Sequence, residues 1–421
     1  MSSPLIKNIP LFLDDKPSVY ALRQQAKQIV EEFGFPSKKT EAWKYTDVRN
    51  LIQSDFSINT EKLECECCSC NHDTKKKDSL TTIEIHFCRG KIHIEEYNTP
   101  KGLIITPLPL ALYEGEYKKH LFKTFDMEKH PFAALNGMYL EQGVCIYLEP
   151  NTKIKTPIIL KYNQDNCENL QIHIHNLIIL EKNSDLDLIE DIESNDKFIH
   201  FTNIVNEIYL KTEAHLNHYK VQKESPYAYH MTLNAIKTLA DSHYKQFYFS
   251  NGAKLSRQET LIDLQQQGAN AEIYSAYKAK TGCLTDITTD INHLVQNTYS
   301  KQYAKAVLEK NSNATFQGKI HISPNAIKTS GQQLHKALYL DNNACLNCKP
   351  ELEIYADDVK CSHGASCGEI DKEQLFYLTS RGINEETATN MLISAHLDEI
   401  FSFITNKDIQ NYFSSLKNIF S

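Results

Sequence analysis

The chain has 421 residues, enough for one long repeat domain or two to three compact domains. Its formal net charge is −8, whereas proteins that bind nucleic acids usually carry a basic excess. Neither a signal peptide nor a run of about 18 apolar residues, the length needed to span a membrane, is apparent. We therefore expect a soluble, cytoplasmic protein that binds neither nucleic acid nor a membrane.

The N-terminal part is predicted to be helical. Apolar residues recur at helical spacing between Pro17, a start signal, and Gly34, a stop signal. The connector that follows holds Trp43, the only tryptophan, which we interpret as an aromatic anchor packed in a core. The polar, cysteine-rich stretch Cys65–Lys77 is typical of a surface loop or insertion.

From about Thr81 to about Cys361 the apolar pattern changes to a period of 2. In one stretch Leu170, Ile172 and Ile174 alternate with polar residues. Many short strands, separated by turn-forming clusters about every 8–12 residues, predict an extended all-β body. A β-solenoid suits this length because stacked coils lengthen the core without thickening it. Histidines and tyrosines on the alternate strand face are expected to be solvated.

The C-terminal part is predicted to return to helix. A short helix begins near Asp371 and ends at Gly382. A longer amphipathic helix begins at Asn384. Its apolar stripe either docks on the solenoid end as a cap or is exposed to a partner protein, and the sequence leaves both possibilities open.

Six segments of the chain carry distinctive motifs: Glu41–Thr46, Phe316–Ile320, Lys328–Thr329, Lys349–Ala365, Gln374–Leu378 and Ser380–Ile383. Together they resemble the SufB/SufD family of the SUF iron–sulfur cluster assembly system. The triplet His363-Gly364-Ala365 resembles the SufD form, since SufB usually carries Glu after the motif histidine.

The resemblance implies a mainly β fold, a right-handed parallel β-helix (β-solenoid) core flanked by helical terminal regions. We predict a helical region with a Cys-rich insertion at residues 1–78, the core at 79–365 and a helical domain at 366–421. It also implies a non-catalytic scaffold subunit with a role in iron supply. Such a subunit pairs with SufB through the β-helix ends and docks the ATPase SufC on its C-terminal helical region; in isolation it can form a homodimer.

Cys361 and His363 are the predicted metal or cluster ligands. They lie two positions apart after the strand-like run Leu352–Val359, which places both side chains on one face and Lys360 on the other. Thiolate and imidazole are ligands that iron and its clusters accept. Two ligands cannot complete a tetrahedral site, so SufB is expected to share a transient iron or nascent cluster, with none bound permanently. A buried cysteine beside a hydrogen-bonded histidine is the structural alternative, and Lys360 is expected to favour the thiolate.

Three further groups of residues are candidates. Cys345, Cys348 and Cys367 flank the predicted site and are interpreted as accessory. A second possible metal cluster, or a tolerated insertion with adventitious thiols, comprises Cys65, Cys67, Cys68, Cys70 and His72. The residues expected to bind SufC are Phe376, Tyr377, Arg381, Met391, Leu392 and Ile400.

Two other functions compete with the scaffold. A catalytic β-solenoid, such as a polysaccharide lyase or hydrolase, would require repeated paired carboxylates, and the sequence lacks them. An independent Cys-rich metal-binding protein would depend on the Cys65–His72 cluster. The sequence has no P-loop, so ATP hydrolysis is expected from a partner. Four other cysteines lie in apolar or strand-like surroundings and are predicted to be inert core residues: Cys88, Cys145, Cys167 and Cys283.

Overall fold

A computed structural model describes residues 3–9, 16–59, 80–93, 99–115, 117–194 and 197–415. Its α-helices are α1 (Pro17–Phe33), α2 (Arg49–Gln53), α3 (Leu108–Glu114), α4 (Pro131–Met138), α5 (Lys372–Ser380), α6 (Glu385–Phe401) and α7 (Lys407–Ser415). Its strands are β1 (Ser57–Ile58), β2 (Ile83–Cys88), β3 (Lys91–His93), β4 (Leu103–Pro107), β5 (Val144–Leu148), β6 (Ile158–Asn163), β7 (Leu170–Leu180), β8 (Asp185–Glu193), β9 (Phe201–Leu210), β10 (His215–Lys223), β11 (Tyr229–Thr238), β12 (His243–Ser250), β13 (Leu255–Leu264), β14 (Asn270–Ala279), β15 (Leu284–His293), β16 (Tyr299–Leu308), β17 (Asn313–Ile322), β18 (Ser330–Tyr339), β19 (Cys345–Ile354) and β20 (Lys360–Glu369).

The strands form two long sheets that the chain visits in turn. The first sheet has the order β19-β17-β15-β13-β11-β9-β7-β5-β4, with β1 beside β7. The second has the order β20-β18-β16-β14-β12-β10-β8-β6-β2-β3. From β5 onward every strand pairs in parallel with the next strand but one, so the chain winds into a β-solenoid of about seven turns. The predicted fold class is confirmed.

The core lies between the two sheets, where equivalent residues of successive coils stack in register. One such row runs along the first sheet, and its members from β7 to β17 are almost completely buried. Each fully buried aliphatic side chain contributes about 1.5–3 kcal/mol of transfer free energy, so the row favours one strand register throughout. Its residues are Ile178, Ile208, Ile236, Ile262, Ile291, Ile320 and Leu352.

Helices cover the outer face of the first sheet, and this burial corrects one sequence-based expectation. His173 and His175 of β7 were expected to be solvated, but both are buried. Helix α4 lies over them: Asn136 Oδ1 is 3.0 Å from His175 Nδ1, and the Tyr139 ring lies 4.7 Å from the His173 ring. The alternating pattern therefore marks strands with two buried faces.

The segment between β4 and β5 corrects a second expectation. A continuous period of 2 was predicted from about Thr81, but α3 and α4 interrupt it. Pro109 lies near the start of α3 and Pro131 begins α4, positions that a helix tolerates because the first N–H groups have no partner there. The apolar residues of α4 are nearly all buried, which makes helical periodicity hard to read from the sequence.

The predicted helical termini agree with the structure. Helix α1 spans Pro17–Phe33, with Gly34 following at φ +68°. The Asp371 carboxylate caps α5 by accepting hydrogen bonds from two backbone amides of its first turn, and the Asn384 side chain caps α6 by accepting one from the Thr387 amide. Among the described residues, no helix is long and apolar enough to cross a membrane.

Helix α6 docks on the outer face of the second sheet, an arrangement that differs from both possibilities left open by the sequence, an end cap and a stripe exposed to a partner. Phe401 stacks on Phe249 of β12 at 4.5 Å between ring centroids. The Glu399 carboxylate accepts a hydrogen bond from Tyr303 and pairs with Lys305 of β16 at 2.6 Å. The C-terminal helices thus lie along the solenoid and leave its last coil without a cap among the described residues.

An N-terminal strap, Glu41–Thr46, runs along the first sheet and ties four successive strands together. Trp43 is buried, with the Arg257 guanidinium of β13 stacked 4.0 Å from its ring, and Thr46 donates a hydrogen bond to Asp286 of β15. Gln317 of β17 donates a 3.1 Å hydrogen bond to the Ala42 carbonyl, and Lys349 of β19 pairs with Glu41 at 2.6 Å. The core-packing interpretation of Trp43 is therefore confirmed.

Candidate metal site at the open end of the solenoid

The last coil, formed by β19 and β20, is the open end of the solenoid. Each of these strands is the last in its sheet, so each has one edge without a strand partner among the described residues. None of residues 345–369 is buried, although the preceding strands β17 and β18 are largely buried on their inner face. An edge strand of this length offers its free N–H and C=O groups to another chain.

Cys361 and His363 lie on β20, which corrects their predicted position. The run Leu352–Val359 is not one strand, because β19 ends at Ile354 and residues 355–359 form the turn before β20. Cys361 is in register with Gly331 of β18, and His363 with the buried Gln333. Both side chains therefore share the inner face of the last coil.

The electrostatics of Cys361 differ from the expectation. The thiol packs beside the hydrophobic cluster that contains Ile320 and Ile322. Burial raises its pKa, and a backbone hydrogen bond with Gly331 opposes that shift. The protonated thiol is therefore the resting form at neutral pH, so Lys360 does not hold the thiolate. A metal ion that binds here displaces a proton.

Two donors do not make a complete metal site. Within the part of the chain that the structure describes, no group of three or more His, Cys, Asp or Glu side chains could hold a metal ion. Cys361 is partly exposed and His363 is exposed, so both are accessible from the open end. The pair can supply two ligands while another molecule supplies the others.

The three flanking cysteines separate into two kinds. Cys345 is exposed and lies on the outer face of β19, where the Asn347 side-chain amide contacts its sulfur at 3.9 Å. Cys348 is in register with the inward Phe316, and Cys367 with the inward Ala337, so both thiols point into the solenoid. Sequence spacing alone could not show which cysteines point inward, because that depends on where β19 and β20 begin.

The remaining cysteines were expected to form two groups, and the structure describes one of them. Cys88, Cys145, Cys167 and Cys283 are buried, as predicted, and burial raises the pKa of Cys145 to about 12. Thiols in such surroundings are unreactive. The cluster of Cys65, Cys67, Cys68, Cys70 and His72 lies outside the described residues.

The C-terminal helices carry an exposed aromatic surface. Phe376 is 73% exposed and Tyr377 59% exposed, and the Arg381 guanidinium lies 5.2 Å from the Tyr377 ring centre. On α6, Met391 is exposed and Leu392 is half-buried. We call these five residues, Phe376, Tyr377, Arg381, Met391 and Leu392, the helical surface.

Ile400 does not belong to the helical surface. Its side chain is completely buried in the cluster that fixes α6 and α7 to the second sheet, so it stabilises that docking and is inaccessible to a partner. Sequence reasoning also missed Lys372, Glu373 and Ser380, which line a shallow depression with the two aromatic rings. The i, i+4 spacing from Lys372 to Phe376 and on to Ser380 was the available signal.

Two family models match this chain. Residues 162–396, from the second half of β6 into α6, match the family model described as SUF system FeS cluster assembly, SufBD core domain. Residues 11–160 match the SufBD protein N-terminal region. The chain belongs to the SufB/SufD family. This family assembles iron–sulfur clusters and is a family of scaffold proteins.

Relatives of the family are similar over most of this chain. The iron–sulfur cluster assembly protein SufD of Escherichia coli is 27% identical over 395 residues, which cover 92% of this chain and 89% of the relative. A SufBD family protein of Synechocystis is 28% identical over 409 residues, which cover 92% of this chain and 88% of the relative. The chloroplastic protein ABCI7 of Arabidopsis thaliana is 27% identical over an alignment of 443 positions, which covers 97% of this chain and 89% of the relative.

Proposed function

We propose that this chain is the SufD-type scaffold subunit of a SufBCD complex and that it pairs with SufB through the open end. In this arrangement Cys361 and His363 contribute two ligands to iron or a nascent iron–sulfur cluster. SufB contributes the others. The observation that carries the proposal is that the two candidate ligands lie on the inner face of a terminal strand, whose outer edge has no strand partner in the described part of the chain.

The open end needs a partner on physical grounds. Strands β19 and β20 each span ten residues, and their free edges face the same end of the solenoid. The inward Ile354 is 40% exposed there, although Ile322, its neighbour in the preceding coil, is completely buried. A partner with the same solenoid architecture would extend both sheets and cover this apolar surface. A second copy of this chain is the alternative partner when SufB is absent.

The chemistry of the pair suits transient binding and iron supply. A partly exposed thiol and an exposed imidazole accept iron but leave coordination positions open, so an ion held here can be passed on. Because Cys361 must lose a proton to bind, binding weakens as the pH falls. The ATPase activity of the complex would come from SufC, bound at the helical surface.

The helical surface supports SufC docking. Helix α5 has no buried residue, so its packing against the rest of the chain does not explain two exposed aromatic rings. Large exposed aromatic side chains with a neighbouring arginine are typical of interface anchors. Helix α6 connects this surface to the outer face of β16, which lies two strands away from β20 in the second sheet.

Co-expression with SufB and SufC from the same source tests the proposal. The wild-type complex should elute as one species that acquires iron and sulfide under assembly conditions. The variant Cys361→Ala plus His363→Ala should keep the complex but lose most of its iron and sulfide. Cys345→Ala, on the outer face of the same coil, is the matched control and should behave as wild type.

Two outcomes would overturn parts of the proposal. If the wild-type chain binds neither SufB nor SufC, the scaffold role in this complex is wrong. If the complex forms and the double variant still acquires normal iron and sulfide, Cys361 and His363 are not ligands. In the second case the residues of the Cys65–His72 cluster become the next candidates for substitution.

A further inference from the structure

The open end holds a second pair of inward-facing donors besides Cys361 and His363. Cys348 lies on β19 in the first sheet, and Cys367 lies on β20 in the second. Their register partners in the preceding coil, Phe316 and Ala337, belong to one hydrophobic cluster in the interior. We propose that Cys348 and Cys367 form a second soft-metal half-site, separate from Cys361 and His363.

The packing places the two thiols over the same layer of side chains. Cys348 packs on the cluster that contains Phe316 and Ala337, and Tyr339 of β18 packs there as well. The pKa of Cys348 is raised to about 11, mainly by burial and also by the charge of Cys367. Burial and then the charges of Cys367, Cys345 and Cys348 raise the pKa of Tyr339. These interactions are consistent with two thiols that approach one another from opposite sheets.

The geometry favours a bridging ion over a disulfide. Facing sheets stand about 10 Å apart, whereas a disulfide joins Cα atoms about 5.5–6 Å apart. A bridging metal ion can join two cysteines whose Cα atoms are farther apart than in a disulfide, because each metal–sulfur bond is about 2.3 Å long. Thiolates select soft ions such as Cu(I) and Zn(II), as well as iron–sulfur species. Both cysteines are free thiols in the structure, as the bridging ion requires.

The second half-site is distinct from the first. Cys361 and Cys367 lie six positions apart on one strand, a separation of about 20 Å at a rise of about 3.3 Å per residue. Cys361 lies beside the turn that joins β19 to β20. Cys367 lies toward the other end of β20, near Tyr339. One ion cannot contact both, so the inference does not rest on the function proposed for Cys361 and His363.

Cadmium titration of the purified full-length chain tests the proposal. Cys361 and the cysteines of segment 65–70 are first replaced by serine, because they would bind the same probe. The thiolate-to-cadmium absorption band should then saturate at one ion per chain. Cys348→Ser and Cys367→Ser should each weaken binding by about tenfold or more. Cys345→Ser, which removes an outward thiol of the same strand, should leave binding unchanged.

Crosslinking gives a readout that needs no substitution of the pair. Dibromobimane becomes fluorescent only after it alkylates two neighbouring thiols, and mass spectrometry of the digested protein identifies which two. The expected product links Cys348 to Cys367, and prior loading with cadmium should suppress it. A product that links Cys345 to Cys348, or cadmium binding that Cys345→Ser weakens as much as Cys367→Ser does, would overturn the proposal.

Discussion

The buried ion pair beneath the N-terminal strap offers a stringent test of the packing. Arg257 and Asp286 lie on adjacent strands of the first sheet, and their side chains are 1% and 0% exposed. The Arg257 guanidinium donates a hydrogen bond to Asp286 and stacks on Trp43, while Thr46 donates to the same carboxylate. Removal of either charge leaves the other buried beneath the strap.

The structure allows the size of the effect to be estimated. Breaking a buried ion pair by removing one partner typically destabilises a protein by about 3–5 kcal/mol. The destabilisation by Asp286→Asn should be near the lower end of this range, because Glu259 is 3.8 Å from Arg257 and still compensates part of its charge. Arg257→Met should cost at least as much, since it also removes a cation–π contact worth about 0.5–2 kcal/mol. The double variant should cost less than the sum of the two by about 2–3 kcal/mol.

Urea unfolding measures these quantities with two probes. Trp43 is the only tryptophan, so its fluorescence reports on the strap itself, while far-UV circular dichroism reports on the sheets. Each single variant should lower the midpoint of the fluorescence transition, and the double variant should recover part of the loss. If the two substitutions are additive within about 0.5 kcal/mol, the residues are not energetically coupled and the reasoning is refuted.

Three further predictions concern pH, the partner surface and a helix cap. Burial holds the pKa of His293 at about 3, so between about pH 6.5 and pH 3 the unfolded chain binds a proton that the folded chain does not. The free energy of unfolding should therefore decrease as the pH falls through this range. In urea titrations at pH 7, 6 and 5, His293→Gln should reduce the pH dependence of that free energy by up to about 1.4 kcal/mol per pH unit. Phe376→Ala plus Tyr377→Ala should weaken SufC binding in calorimetry without changing the unfolding midpoint. Ile400→Ala should instead lower the free energy of unfolding by about 2–5 kcal/mol. Equal effects on stability would contradict the assignment of the two aromatic residues to the helical surface and of Ile400 to the core. Asn384→Ala should cost about 1 kcal/mol in the same unfolding assay, and a cost below about 0.3 kcal/mol would mean that the cap is dispensable.

The solenoid was predictable because its rule is local and repeated. Alternation of apolar residues predicts strands, and turn-forming clusters at regular intervals predict their spacing. Helix signals such as Pro17, Gly34 and Asp371 act within one turn, so they too could be read from the chain. The same reasoning failed at α4, where apolar residues on every side of a short helix erase its periodicity.

The burial of polar side chains could not be predicted, because it depends on contacts far apart in the chain. Glu190 occupies an inward position of β8 and is completely buried. Burial alone would raise its pKa, but Lys220 and His218 hold it at about 2, with His218 Nε2 at 2.8 Å. These partners lie on β10, and no spacing rule connects them to Glu190.

The candidate site was predictable only in part. Two residues of a strand at a spacing of two must share a face, so the common orientation of Cys361 and His363 followed from the sequence. Which face that is depends on the turn at residues 355–359, which shifts the strand start to Lys360. The same uncertainty hid the inward position of Cys348 beside the outward Cys345.

The distribution of covering elements leaves the last coil accessible, as the proposed pairing through the open end requires. Helices and the N-terminal strap cover the outer face of the first sheet, and α6 and α7 cover that of the second. The strap reaches the last coil through the ion pair between Lys349 and the mostly exposed Glu41, which solvent screens. Pairing with β17 and β18 holds the last coil in register, while its inner face stays accessible. A protein that covered this end by itself would gain stability, but its inward cysteines and histidine could not share a ligand with another subunit.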